Sequence, residues 1–269
     1  MYKYKTTFIS NHPKISVKYC GKGELVIFLH GIGGNKNNWD QNLPEISKYY
    51  FCVACDNRGY GDSDDYKGPL KFNDILEDLK KVIFHFKKRN AHIVGLSMGG
   101  QIACLFYEKY PSLVKSLILC DTHFGLSNLN KIEIKNFINS RKVPLIQGKE
   151  PKEIAKSVAQ SLIGNKLNKF ALNKLIESIS MLHKESYLKT IDSSFSTTHE
   201  HIFKTINVPS LIIVGELDRL TPVKMAKKIK SLIKDSELSI IPNAGHLSNI
   251  EEPKKFNEIL FNFLKNVTL

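Results

Sequence analysis

The chain has 269 residues, 42% of them hydrophobic, which suits one large α/β domain or two small ones and excludes a disordered protein. Apolar runs such as residues 25–29 are far shorter than the roughly 20 residues of a membrane-spanning helix, so no span is predicted. The net charge of +13 comes mainly from lysine, with only four arginines, and the basic runs 87–89 and 227–230 lack aromatic residues, so no nucleic-acid partner is expected.

Short β-rich runs alternate with longer segments of helical periodicity, the pattern of a mostly parallel sheet covered by helices on both faces. We predict eight strands, the first two forming a hairpin, at residues 4–9, 15–19, 25–29, 51–55, 91–96, 116–120, 211–214 and 238–241. Helices are predicted at residues 38–48, 72–86, 98–109, 223–233 and 253–264. Thr221 is predicted to cap the fourth of these helices, because Pro222 would then occupy its first position.

One long segment, residues 123–206, interrupts the alternation of strands and helices. Its apolar residues recur at helical spacing with no strand between them. Helices inserted between the sixth and seventh strands would lie over the carboxyl ends of the strands, where open α/β sheets bind ligands. We therefore expect an α/β core formed by residues 1–122 and 207–269, with a helical cap at 123–206.

Ser97 lies in a Gly-x-Ser-x-Gly motif, between Gly95 and Gly99, where a predicted strand meets a predicted helix. This context is typical of a nucleophile elbow, in which glycines allow close backbone approach on either side of a strained serine. The N-terminus of the following helix favours a developing negative charge. The motif therefore indicates Ser97 as a nucleophile.

Three further motifs follow predicted strand ends. A glycine-rich turn, residues 30–34, follows the third strand and could offer a second backbone amide to an oxyanion. Asp218 follows the seventh strand in the sequence Gly-Glu-Leu-Asp, and His246 follows the eighth. The chain order Ser97, Asp218, His246 is that of the α/β-hydrolase triad.

Together with the Asp-Asn-Arg-Gly-Tyr-Gly-Asp-Ser segment at 56–63, these motifs resemble the α/β-hydrolase fold superfamily over essentially the whole chain except the cap. The most similar members are small bacterial esterases, enol-lactonases and carbon-carbon bond hydrolases. The resemblance implies an α/β-hydrolase fold with a mostly parallel eight-stranded sheet, and an enzyme without cofactor or metal. It also implies that His30 is structural. The serine at the elbow disfavours the dehalogenase and epoxide hydrolase branches, which use aspartate.

The chemistry of acyl transfer gives each candidate residue a role. Ser97 would attack the carbonyl while His246 takes its proton and later protonates the leaving group. Asp218 would orient the imidazole and stabilise its charged form. The backbone amides of Met98 and Ile32 would hold the oxyanion, and the resemblance alone selects Ile32 within its turn.

Asp121 is an alternative to Asp218 as the acid, because it ends the sixth strand and some members of the family supply the acid from that position. We favour Asp218, since the Gly-Glu-Leu-Asp turn matches the usual pattern of the family. Arg58 is expected to tie loops together within a tight turn that needs Gly59 and Gly61.

Several residues of chemical interest are expected to have other roles. Cys52 and Cys55 lie three apart in a predicted strand and point to opposite faces, which indicates core packing rather than a metal or redox pair. His199 and His201 have no further ligand candidates nearby in the sequence, so no metal site is predicted. Trp39, the only tryptophan, could line the pocket or anchor a helix.

We expect a serine hydrolase that cleaves a small carboxylic ester through an acyl-enzyme. The alternatives are an enol-lactone or carbon-carbon bond hydrolase of the meta-cleavage product type, and a ligand-binding homologue with little turnover. Residues 123–205 hold 13 basic and 7 acidic residues, which makes an acidic carrier protein a candidate partner. The first ten residues lack the apolar segment of a secretory signal, so a cytoplasmic location is expected.

Overall fold

The computed structural model describes residues 4–123, 131–194 and 200–268. Within them one sheet of eight strands has the order β1-β2-β4-β3-β5-β6-β7-β8. The strands are β1 Lys5–Ile9, β2 Ile15–Gly21, β3 Leu25–Leu29, β4 Phe51–Cys55, β5 Ala91–Leu96, β6 Val114–Cys120, β7 Ser210–Gly215 and β8 Glu237–Ile241. Each predicted strand is confirmed, with ends that differ by at most two residues.

The sheet is antiparallel at one edge and parallel elsewhere. Strand β1 pairs with β2 as the predicted hairpin, and β2 pairs antiparallel with β4. The remaining neighbours are parallel, from β4 through β3, β5, β6 and β7 to β8. Every residue of β3, β5 and β7 is buried, as expected for parallel strands with both faces covered. The carboxyl ends of these strands therefore meet at one edge of the sheet.

Helices connect and cover the strands. They are α1 Leu43–Ile46, α2 Phe72–His85, α3 Met98–Lys109, α4 Lys131–Ile146, α5 Pro151–Leu162, α6 Lys169–Ser180, α7 Lys184–Ser194, α8 Glu200–Phe203, α9 Val223–Leu232, α10 Ser248–Glu251 and α11 Pro253–Thr268. No helix within the described ranges is both long enough and apolar enough to cross a membrane.

The predicted helix at residues 38–48 is wrong. In its place the chain forms a 3₁₀ turn, Lys36–Trp39, and then the short helix α1. A continuous helix is disrupted at Pro44, which has no N–H to donate and whose ring would clash with the carbonyl of Asp40. The 3₁₀ turn has its own cap, because the Asn35 side chain accepts a hydrogen bond from the amide of Asn37.

Helices α4 to α7, called the cap helices below, lie between β6 and β7 in the chain. The described part of the predicted 123–206 segment is helical, with no strand in it. Residues 124–130 and 195–199 of that segment lie outside the described ranges. Side chains from all four cap helices line the same cavity as the turn after β3 and the turn after β5.

Candidate active site

Ser97 occupies the sharp turn between β5 and α3. Its backbone is strained, with φ of 54° and ψ of −114°. The amide of Ser97 donates to the carbonyl of Cys120 at 2.8 Å, which ties the turn to β6. A Cβ at Gly95 would lie 2.3 Å from the carbonyl oxygen of Gly99, and one at Gly99 would lie 2.3 Å from that of Leu29. Only glycine fits at either position, which explains the spacing of the motif.

The structure brings the three predicted triad residues together. Nε2 of His246 lies 3.0 Å from Oγ of Ser97, and Nδ1 lies 2.9 Å from Oδ2 of Asp218. All three side chains are buried. In this arrangement the imidazole donates to the carboxylate and can accept the proton of the serine hydroxyl.

Asp218 is held as an ionised carboxylate by several donors. Its Oδ1 accepts the amides of Leu220 and Thr221 at 2.8 and 2.9 Å, and its Oδ2 accepts the Thr221 hydroxyl at 2.5 Å. Burial by itself would raise the pKa of Asp218, but His246 and the Thr221 hydrogen bonds outweigh burial and lower it. The carboxylate can therefore stabilise a positive charge on His246.

Thr221 is a site residue that sequence reasoning assigned to another role. The prediction that it caps the next helix is wrong, because Pro222 has an extended backbone, with ψ of 160°, and itself occupies the N-cap position of α9. The Thr221 hydroxyl instead donates its hydrogen bond to the carboxylate of Asp218, three residues earlier. That spacing of an acid and a hydroxyl residue was the only signal for this contact in the sequence.

Asp121, the alternative acid, lies close to the triad but has other hydrogen-bond partners. Its Oδ1 accepts the amide of Gly215 at 2.8 Å, and its Oδ2 accepts the amide and hydroxyl of Ser248 at 3.1 and 2.6 Å. Burial, together with the neighbouring charge of Asp218, raises the pKa of Asp121 to about 8. The carboxylate that contacts the His246 ring is that of Asp218.

His246 has a pKa set by opposing influences. Burial disfavours the imidazolium and lowers its pKa, and the field of Arg141 acts in the same direction. The charge and hydrogen bond of Asp218, with a contribution from Asp121, outweigh both and raise the pKa above its ordinary value. The site therefore stabilises the imidazolium form of His246, which is the form that a base reaches after it takes a proton.

The predicted oxyanion donors lie on either side of Ser97. Met98 is the first residue of α3, so its amide has no acceptor within the helix. Ile32 lies in the turn after β3, and a Cβ at the preceding Gly31 would be 3.2 Å from Cβ of Ser97. Neither amide donates a hydrogen bond to another residue of the described chain. Both are therefore available to an oxygen bound beside Ser97.

His30 and Trp39 both line the cavity next to these residues. Nδ1 of His30 donates to the carbonyl of Gly31 at 2.7 Å, and the amide of Asn57 donates to its Nε2 at 3.1 Å. Burial lowers the pKa of His30, so the ring is neutral and both of its nitrogens bind backbone. Trp39 is fully buried and also packs against Phe28, so it lines the cavity and anchors the core.

The space above Ser97 that is free of protein atoms amounts to about 580 Å³, with the solvent at its mouth included. One wall consists of the turn at 30–34 and the serine elbow. Most of the remaining lining is apolar, formed by Phe137, Val158, Leu162, Leu175, Ile179, Leu220 and Leu247. No acidic side chain of the described chain lines it. Such a cavity suits a small, largely apolar molecule with one polar reacting group.

Other residues singled out in the sequence lie outside the triad. Arg58 contacts Asp74 and Asp78 of α2 at 3.2 and 2.8 Å, and so ties its turn to that helix. His201 lies 3.2 Å from Glu108, while His199 falls outside the described ranges. Over the residues that the structure describes, no cluster of three histidine, cysteine or acidic side chains could hold a metal ion.

The sheet order and the serine elbow define an α/β-hydrolase architecture. A family model described as alpha/beta hydrolase fold matches residues 24–140 and 135–253, and the chain belongs to this family. A relative described as AB hydrolase superfamily protein YisY, from Bacillus subtilis (strain 168), is 30% identical over 268 residues, covering 94% of this chain and 96% of that protein.

Solved structures share the same fold. An esterase from Exiguobacterium antarcticum superposes with a TM-score of 0.87 at 23% identity, covering 97% of this chain and 100% of that chain. An enol-lactonase from Burkholderia xenovorans LB400 gives a TM-score of 0.86 at 19% identity, with coverage of 97% and 100%. The predicted fold and family are thus confirmed, and the protein is a member of a hydrolase family.

Proposed function

We propose that the protein is a serine hydrolase that cleaves a small carboxylic ester. The observation that carries this proposal is the hydrogen-bonded series from Ser97 through His246 to Asp218, with distances of 3.0 and 2.9 Å, beside an apolar cavity. A serine hydroxyl is a weak nucleophile unless a base removes its proton during attack, and the 3.0 Å distance between Nε2 of His246 and Oγ of Ser97 supports His246 as that base.

The first half of the reaction forms an acyl-enzyme. Oγ of Ser97 attacks the ester carbonyl as its proton passes to Nε2 of His246. The imidazolium is stabilised by Asp218, and the amides of Met98 and Ile32 hold the negative oxygen of the tetrahedral intermediate. His246 then protonates the leaving alcohol, and the acyl group remains on Ser97.

The second half releases the acid. Water enters beside His246, which takes one of its protons while the oxygen attacks the acyl carbonyl. The same two amides hold the second tetrahedral intermediate, and His246 returns the proton to Oγ of Ser97 as the acid leaves. Loss of one oxyanion donor typically costs about 10²- to 10³-fold in rate, so both amides are a substantial part of this mechanism.

In this proposal the core of residues 1–122 and 207–269 carries the triad, and residues 123–206 form a cap that shapes the substrate site. The apolar residues of the cap helices that line the cavity support this role. They would select substrates by shape and limit the access of water to the acyl-enzyme.

The test is hydrolysis of p-nitrophenyl esters, from acetate to long acyl chains, by the wild type and by Ser97→Ala. We expect kcat/KM to fall about 10⁴-fold or more in the variant. The control is Ser210→Ala, which removes a buried hydroxyl that is bonded locally to Val208 and lies outside the cavity. If the wild type is no faster than Ser97→Ala on any ester, ester hydrolysis is excluded, and lactones and carbon-carbon substrates become the next assays.

A further inference from the structure

Arg141 is a buried cation in the wall of the cavity above Ser97. It lies on cap helix α4 and is only 4% exposed. It is the one lysine or arginine that lines this cavity within the described ranges. Its field reaches the triad, since it lowers the pKa of His246. Ser97 and His246 line the same cavity as Arg141, so one small molecule bound there can contact both the guanidinium and the reacting atoms.

The partners of Arg141 are neutral. Nη1 donates to the carbonyl of Phe137 at 3.1 Å and to the hydroxyl of Ser140 at 3.0 Å, and Nη2 donates to the hydroxyl of Ser161 at 3.0 Å. Tyr187 lines the same cavity and acts to raise the pKa of Arg141, and the centre of the Phe137 ring lies 3.5 Å from Cζ of Arg141. No carboxylate among the described side chains forms an ion pair with Arg141.

A buried charge without a counterion is unfavourable. An arginine keeps its proton in proteins, so the guanidinium stays charged although burial lowers its pKa. An apolar residue of similar volume would be neutral or favourable for stability at such a position. Phe137, Ser140 and Ser161 hold the guanidinium in place but leave its charge uncompensated. An anionic ligand in the cavity would supply the missing charge.

We propose that Arg141 and the hydroxyl of Tyr187 form a carboxylate subsite, so that the physiological substrate is an ester that also carries a free carboxylate. A planar guanidinium matches a carboxylate better than any other side chain does. The inference rests on the proposed function only for the ester bond, because the subsite itself is defined by the cavity. The small, otherwise apolar cavity implies a short carbon chain between the ester and the carboxylate.

The experiment compares substrates that differ only in the charged end. One pair places the carboxylate on the acyl side, monoethyl adipate against ethyl hexanoate, and the other places it on the alcohol side, 6-acetoxyhexanoate against hexyl acetate. We expect the wild type to prefer the charged member of at least one pair by tenfold or more in kcat/KM. Arg141→Gln should lose about 10- to 100-fold on that substrate and less than threefold on its neutral partner.

The conservative variant separates binding from a structural role. Arg141→Lys keeps the charge and should retain part of the preference for the charged ester, with thermal unfolding as a check on folding. Equal loss on the charged and neutral esters in Arg141→Gln would mean that Arg141 only supports the cap, and the proposal would be wrong. A wild type without preference for either charged ester would also overturn it, whether or not the variants fold.

A binding measurement distinguishes failure of the subsite from failure of the ester chemistry. Trp39 is the only tryptophan and lines the same cavity, so its fluorescence reports occupancy. Adipate should change this fluorescence when it binds to Ser97→Ala. The double variant with Ser97→Ala and Arg141→Gln should bind adipate with at least tenfold lower affinity. If esters are not hydrolysed but adipate binds in this Arg141-dependent way, the subsite stands and the ester proposal falls. If adipate binds equally to both variants or to neither, the subsite is refuted.

Discussion

At the scale of single residues, the reactivity of the candidate triad depends on which carboxyl group faces the imidazole. Asp218 contacts Nδ1 of His246 and is charged, whereas Asp121 binds Gly215 and Ser248 and has a pKa of about 8. Burial and the charge of Asp218 therefore disfavour the ionised form of Asp121. The two acids lie near the same ring, but only Asp218 has the position and charge to stabilise an imidazolium.

The raised pKa of His246 predicts the pH dependence of the reaction. Only the neutral imidazole can take the proton of Ser97, so activity is lost as the pH falls through the His246 pKa. Because the Asp218 carboxylate raises this pKa against the effect of burial, the acidic limb of kcat/KM should lie above the ordinary histidine value of about 6.5. Asp218→Asn should lower the rate about 10⁴-fold and move the limb to lower pH, because burial then dominates.

The matched control for that measurement is Asp121→Asn. Because Asp121 binds Gly215 and Ser248 and does not contact the imidazole, its variant should keep the rate at pH 7 within about tenfold. pH profiles of kcat/KM for both variants check the assignment. A larger loss in Asp121→Asn than in Asp218→Asn would show that Asp121 is the acid of the triad.

Thr221 provides a second prediction at this scale. Thr221→Val removes the hydroxyl that donates to Oδ2 of Asp218 at 2.5 Å and leaves the side-chain shape nearly unchanged. The carboxylate then loses a strong hydrogen bond, its pKa rises, and kcat should fall by about tenfold, a cost of about 1.4 kcal/mol. Thr221→Ser keeps the hydroxyl and should retain most of the activity. Equal activity of the two variants would show that this contact is unimportant for catalysis.

At the scale of elements, the loop that carries His246 is attached to cap helix α5. The amide of His246 donates to the carbonyl of Leu162, the last residue of α5, at 3.0 Å. The buried carboxylate of Glu251 accepts the amides of Gly164 and Gly245 at 2.8 and 2.9 Å. These hydrogen bonds therefore join α5 to the loop of His246 and support the position of the imidazole.

Glu251→Ala should loosen this joint. It leaves the buried amide of Gly245 and the half-buried amide of Gly164 without an acceptor, at about 1–3 kcal/mol for a buried group, so the melting temperature should fall by at least about 5 °C. The reaction rate should fall as well, because His246 loses part of its support. Thermal unfolding and kcat of Glu251→Ala are compared with those of Glu252→Ala, the half-buried neighbouring residue. Unchanged stability in Glu251→Ala would contradict the structural importance of the joint.

The elements also show how far sequence reasoning extends. The strands were predictable because a buried parallel sheet demands uninterrupted apolar runs such as those of β3 and β7. Helical periodicity at 38–48 was misleading because Pro44 is tolerated only in the first turn of a helix, and α1 therefore begins at Leu43. The positions of Ser97 and His246 followed from their motifs. Arg141 could not be identified, since nothing in the sequence indicates that its counterion is missing in the folded cavity.

At the scale of the whole molecule, the large positive charge is carried by lysines, many of them on the surface and several in ion pairs. Lys142 with Asp192 and Lys184 with Glu150 are examples on the cap helices. Exposed pairs of this kind contribute little to stability and are screened by salt. Docking of an acidic carrier protein on the cap stays a prediction of the sequence.

The cysteines give a prediction for the integrity of the whole fold. All five are unpaired and buried, and burial raises the pKa of each thiol, at Cys20, Cys52, Cys55, Cys104 and Cys120. The native protein should react with almost no Ellman reagent, and the unfolded protein should react with five equivalents. Cys20, the most exposed at 8%, should react first. Rapid native titration of several thiols would contradict the packing described above.

The central claim, that Ser97 is an activated nucleophile, is tested most directly by covalent labelling. The protein is incubated with a fluorophosphonate, which phosphonylates activated serines, and is then analysed by intact-mass and peptide mass spectrometry. We expect a single adduct on the peptide that contains Ser97, no adduct on Ser97→Ala, and strongly reduced labelling of His246→Ala. An unlabelled wild type, or an adduct that persists in Ser97→Ala, would contradict the claim.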